Sequence, residues 1–169
     1  TDRPIDVLAH SQGGIVARLA LIELERRHGA AWLRRVGILV TLGTPHGGAD
    51  LATAVYAIGA TPAGSALLDA GTSAAGLALD DDAPALRQLA ETSEIIEALQ
   101  ETPVPAGLRA VSIAARSDLV VPVPRTAAPG MQSVVVPVDG AHAHDALPGA
   151  PSAVREVALA AAGLPPTCT

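Results

Sequence analysis

There is no phenylalanine in this chain of 169 residues, and tryptophan, tyrosine, methionine and cysteine occur once each. Without aromatic bulk, an interior has to be assembled from many small contacts among alanine, valine and leucine, where each lost methyl is felt. The single cysteine, Cys168 beside the C-terminus, excludes an internal disulfide and fixes no redox compartment. No apolar run is long enough to span a bilayer as a helix. Positive charge is scarce as well: 11 Lys and Arg stand against 17 Asp and Glu, a formal charge of −6. That balance argues against nucleic acid and against an anionic membrane surface as partners. Internal repeats are lacking, and so is any linker that would demand two domains, so 1–169 is expected to be one domain with a real core. A starting Met and a basic-plus-apolar leader are also missing. The chain therefore reads as processed or as cut from something longer, and its localisation is not readable.

What is present alternates between short β-branched runs and helical ones. Ile5-Asp6-Val7-Leu8-Ala9-His10 reads as an apolar strand, Ser11 as a turn residue, and Gly13 to His28 as a helix closed by Gly29. Val36 to Leu42 reads as a buried parallel strand, followed by the turn-rich Thr44-Pro45-His46-Gly47-Gly48. Two strands joined by a helix make one β-α-β unit. From Ala49 the pattern loosens, and a run this long is more than a strand connection needs. Short helices are expected at Ala85–Ala90 and at Glu94–Gln100, the second capped by Ser93. The segment 49–105 is expected to be a small helical cap insertion over one end of the sheet. Leu108–Ala114 and Ser133–Val138 read as further strands, with Pro137 pointing to an edge or a bulge, and Ala153–Ala162 as the closing helix.

Chemistry concentrates after the strands. Ala9 and Gly13 flank Ser11 as A-x-S-x-G, small residues where a sharp strand-to-helix turn brings two backbones together and exposes a hydroxyl. The helix that begins there points its N-terminus at Ser11, which favours an oxyanion. A serine needs a base, ordinarily histidine, and the histidine needs a carboxylate to hold its tautomer. Asp118 follows the third strand, and His142 and His144 follow the fourth. Parallel strands bring such loops to one edge of the sheet. The acidic run Asp80-Asp81-Asp82 reads as a solvated turn before a helix rather than a metal site. No metal and no cofactor is expected.

These residues, with Thr41-Leu42-Gly43-Thr44-Pro45-His46-Gly47-Gly48 and Ser117-Asp118-Leu119-Val120-Val121-Pro122, resemble the α/β-hydrolase superfamily, and within it the lipases and esterases. The resemblance implies Ser11 as nucleophile, Asp118 as orienting acid and the Gln12 backbone N–H as an oxyanion donor. Related loops carry leucine three residues after the catalytic histidine, which favours His144 with Leu147 over His142 with Asp145. It gives His10 a packing and hydrogen-bonding role, and His46 a loop-shaping role at a pocket rim. His28 reads as a helix-end cation. Strands that precede the nucleophile strand in that fold are absent, so the chain is expected to be its C-terminal half. The loop that normally supplies a second oxyanion N–H is then missing too.

The expected activity is hydrolysis of a small-molecule or lipid carboxylic ester through an acyl-enzyme. An acyltransferase or amidase of the same fold, or an inactive fragment that keeps the fold for binding, fits the same residues.

Overall fold

In a computed structural model the chain is described at residues 3–48 and 93–168. The helix expected at Ala85–Ala90, the Asp80–Asp82 run and most of the 49–105 insertion lie outside the described residues. Strand β1 is Ile5–His10, helix α1 Gln12–His28, and strand β2 Val36–Leu42. Helix α2 is Glu94–Glu101, strand β3 Ala110–Ala115 and strand β4 Gln132–Val136. A one-turn helix α3, Ala143–Ala146, precedes the closing helix α4, Pro151–Ala161.

The four strands lie in the order β1-β2-β3-β4, every neighbouring pair parallel. Parallel neighbours cannot be joined by hairpins, so helices and long loops carry the chain back. The period-2 rule sorts β2 cleanly. Ile38, Val40 and Leu42 join the core that Ala153 and Ala160 of α4 close, whereas Leu39 meets Leu21 of α1 on the opposite face. Helices therefore cover both faces, the arrangement that suits strands as continuously apolar as β2 and β3. Leu39, Ile113 and Val136 are fully buried. Each such side chain contributes roughly 1.5–3 kcal/mol by leaving water.

Among the described residues β1 is an edge strand, although its serine turn resembles one that ordinarily follows a central strand. Ile5 and Leu8 on β1, with Val16 on α1, are more than half exposed.

Local rules account for most element ends. Ser93 Oγ accepts the Ile96 N–H at 3.2 Å, the cap expected for α2. Gly29 takes φ 75° after α1 and passes its N–H to the Glu25 carbonyl at 2.7 Å. The last strand stops at Val136, one residue before Pro137, which has no N–H to give a ladder. Pro151 opens α4 at a position where a missing N–H costs nothing.

Candidate active site

Ser11 is the turn between β1 and α1. It is the single non-glycine residue at positive φ among the described residues, with φ 53° and ψ −135°. A conformation of this kind costs about 1–3 kcal/mol and persists only where its surroundings hold it. Here the Ser11 N–H donates to the Leu42 carbonyl at 2.9 Å. Its own carbonyl accepts from the Gly14 N–H at 3.0 Å and from the Thr44 hydroxyl at 2.9 Å.

The small residues of the turn do not contribute equally. A Cβ on Gly13 would meet the Ala9 Cβ at 4.0 Å, an ordinary contact, but one on Gly14 would lie 2.1 Å from Thr44 Oγ1. The stringent glycine is thus Gly14. Thr44, to which the sequence assigned no role, is the residue that packs there.

The Ser11 hydroxyl oxygen lies 2.9 Å from His144 Nε2, and His144 Nδ1 lies 2.7 Å from Asp118 Oδ2. Asp118 Oδ1 accepts the N–H groups of Val120 and Val121 at 2.9 and 2.8 Å. Burial alone would push the Asp118 carboxyl up. The bond with His144 and the two backbone N–H groups outweigh it and hold the group below its ordinary value. The carboxylate accepts only, so Nδ1 carries the ring proton, and Nε2 is left to accept from the serine hydroxyl. His142, one residue before α3, is exposed and takes no part in this row. Gln12 is the first residue of α1, where a backbone N–H has no carbonyl one turn back.

Gly43, to which the sequence likewise assigned no role at the site, sits under this row at φ 52°. A Cβ there would come within 3.3 Å of Asp118 Oδ2 and of His144 Nδ1 and Cε1. The approach of acid and base to the end of β2 therefore depends on a missing side chain.

His46 lies inside the protein, fully buried, and not at a rim. Its Nε2 and the Thr41 hydroxyl share a hydrogen bond of 3.1 Å, and its carbonyl accepts from Gln100 Nε2 at 2.6 Å. Burial, with a further push from the Arg18 charge, drops its pKa to about 3. Arg18 on α1 is also fully buried, and burial brings its pKa down to about 10. One of its amino groups donates to the carbonyls of Leu99, at 2.5 Å, and Thr102 at the end of α2. A cation at a helix C-terminus complements the dipole there. Arg18 and Gln100 thereby fix α2 against α1 and the loop after β2.

Among the described residues no cluster of three or more His, Cys, Asp or Glu is gathered as metal ligands would be. No described helix is long and apolar enough to cross a membrane.

No family model and no curated protein matches the sequence. Solved structures do. The mature lipase BlEst2 of Bacillus licheniformis superposes with a TM-score of 0.52 at 18% identity, over 78% of this chain and 56% of that one. The chain has the α/β-hydrolase fold. The putative non-heme bromoperoxidase BpoC of Mycobacterium tuberculosis H37Rv matches at TM-score 0.49 and 17% identity, over 92% of this chain and 65% of that one. The hydrolase BphD of Rhodococcus sp. strain RHA1 matches at TM-score 0.40 and 14% identity, over 80% and 56%. The chain spans about half the length of BlEst2. Within an α/β-hydrolase fold the Ser11 turn occupies the exit of a parallel strand, the edge at which such sheets hold their ligands.

Proposed function

We propose that the protein is a serine carboxylic-ester hydrolase of the lipase or esterase kind. The reading is carried by one observation, the row from Ser11 Oγ through His144 to Asp118 at 2.9 and 2.7 Å. In this reading Ser11 attacks the ester carbonyl carbon while His144 Nε2 takes its proton. Asp118 holds the ring in the tautomer that can accept and stabilises the imidazolium that forms. The carbonyl oxygen becomes an oxyanion at the N-terminus of α1, where the Gln12 N–H and the helix dipole oppose its charge. His144 then protonates the departing alcohol. A water activated by the same ring releases the acid from Ser11.

Substrate and acyl length belong to the same proposal. The fold likeness to a lipase supports an ester, and the 49–105 segment is offered as the cap that would cover an acyl chain.

The experiment is turnover of p-nitrophenyl esters together with labelling by a fluorophosphonate. The expected result is labelling at Ser11, with turnover in Ser11→Ala reduced on the order of 10⁴-fold or more. Ester turnover retained by Ser11→Ala overturns the assignment.

A further inference from the structure

His10 ends β1 immediately before Ser11, and the mechanism above does not use it. Its Nε2 lies 3.1 Å from the backbone carbonyl oxygen of His144. The two imidazole rings are 4.8 Å apart between centroids and inclined at 41°. A carbonyl only accepts, so Nε2 of His10 carries a proton and donates it.

The His144 carbonyl has a particular need of such a donor. In a helix it would receive the N–H four residues on, but that residue is Pro148, which has none. The N–H of Leu147, three residues on, goes to the Ala143 carbonyl instead. His144 is buried, and an unpaired carbonyl there is costly. Helix α3 is a single turn of four residues, Ala143–Ala146, with too short a ladder to hold its own position. The bond from His10 crosses 134 positions of sequence to reach it.

We infer that His10 is a positioning residue: its Nε2–H fixes the His144 backbone, and so sets the imidazole between Ser11 and Asp118. The inference rests on the reading of His144 as the base. Residues 10 and 11 then act together, the second presenting the hydroxyl and the first holding the main chain of the group that takes its proton. Proline at 148 is what makes the clamp necessary, because it leaves the carbonyl open.

The test uses the full chain and three variants. His10→Phe keeps a ring without a donor, and His10→Gln keeps a donor without the ring. The pair His10→Phe with Pro148→Ala returns a backbone N–H to the His144 carbonyl. Two readouts are taken: long-range ¹H–¹⁵N spectra of the histidine rings, and kcat and KM for a p-nitrophenyl ester. His10→Phe is expected to displace and broaden the His144 ring signals. It should lower kcat about tenfold while KM changes less than about twofold. His10→Gln or the double variant should recover most of both effects.

Unchanged His144 signals in His10→Phe overturn the inference, as does the absence of recovery in both donor-restoring variants. Should His10→Phe fail to fold, the unsubstituted protein decides alone: its His10 spectrum must report a protonated Nε2, and an unprotonated one overturns the inference. The spectra also separate this inference from the ester reading. No turnover in the unsubstituted protein, with His144 signals that respond to His10→Phe and recover in His10→Gln, sinks the ester reading and keeps the clamp. Normal turnover with unresponsive signals does the reverse.

Discussion

The Thr44 hydroxyl donates to the Ser11 carbonyl at 2.9 Å. This bond ties the exit of β2 to the serine turn and helps hold a residue at φ 53° that would otherwise relax. The hydroxyl reaches that carbonyl because Gly14 has no side chain in the way.

Thr44→Val keeps the shape and removes the donor. It should lower stability by about 1 kcal/mol, read as a shift in urea midpoint at constant slope. Gly14→Ala pushes a methyl into the threonine and should cost about 1–3 kcal/mol. A Gly14→Ala variant as stable as its parent contradicts the contact.

Asp118→Asn places an amide where a carboxylate accepted the Nδ1 proton. The ring is then free to carry its proton on Nε2, facing Ser11, and kcat should fall on the order of 10⁴-fold with the fold intact. Asp118 is held below the ordinary 3.8, so its charge is present throughout the range in which a histidine titrates. Its contribution to stability is complete above its unfolded pKa and is lost only as pH falls through the lower folded value. A pH–rate profile of the ester reaction should accordingly show no limb from Asp118 above about pH 5.

Gly43→Ala should impair activity more than stability. The strain of an alanine at φ 52° costs about 1–2 kcal/mol. Its Cβ, 3.3 Å from both Asp118 and His144, displaces the pair. Circular dichroism should report a folded protein, and ester turnover should drop at least about tenfold. Full activity in Gly43→Ala contradicts the placement.

His46 gives the fold a pH dependence of its own. The unfolded chain takes up a proton near 6.5 that the folded chain refuses until about 3. Stability therefore falls as pH drops through that window and is insensitive to this group above it. The whole effect is on the order of 3–5 kcal/mol, and His46→Asn should flatten the slope of urea-derived stability between about pH 6.5 and 4. Identical slopes in the two proteins exclude His46 as the cause.

Much of the framework was legible because it is written in local patterns. The β2 run from Val36 to Leu42 appears in the structure with those ends, and α1 differs from its expected start by one residue. The Ser93 cap of α2 was legible for the same reason, since a cap is a contact over three positions. Thr44 and Gly43 were not. Thr44 matters through a carbonyl 33 positions away, and Gly43 through side chains on β3 and β4 loops that no periodicity brings near it. His46 was expected at a pocket rim from the resemblance, but it is fully buried, and Arg18 and Gln100 draw α2 over it.

The sequence by itself determined the four strands, their parallel character, helices α1, α2 and α4, and the residues capable of acid–base and nucleophilic chemistry. Propensity, hydrophobic period and turn chemistry act within a few residues, so they can be read without coordinates. Only the tertiary structure decided which histidine stands beside Ser11, which glycine the turn cannot lose, and that a proline at 148 leaves a carbonyl for His10. Those outcomes depend on strand order and register, which place groups 133 positions apart within 2.9 Å. No local pattern carries that information, because the burial of the whole sheet sets it.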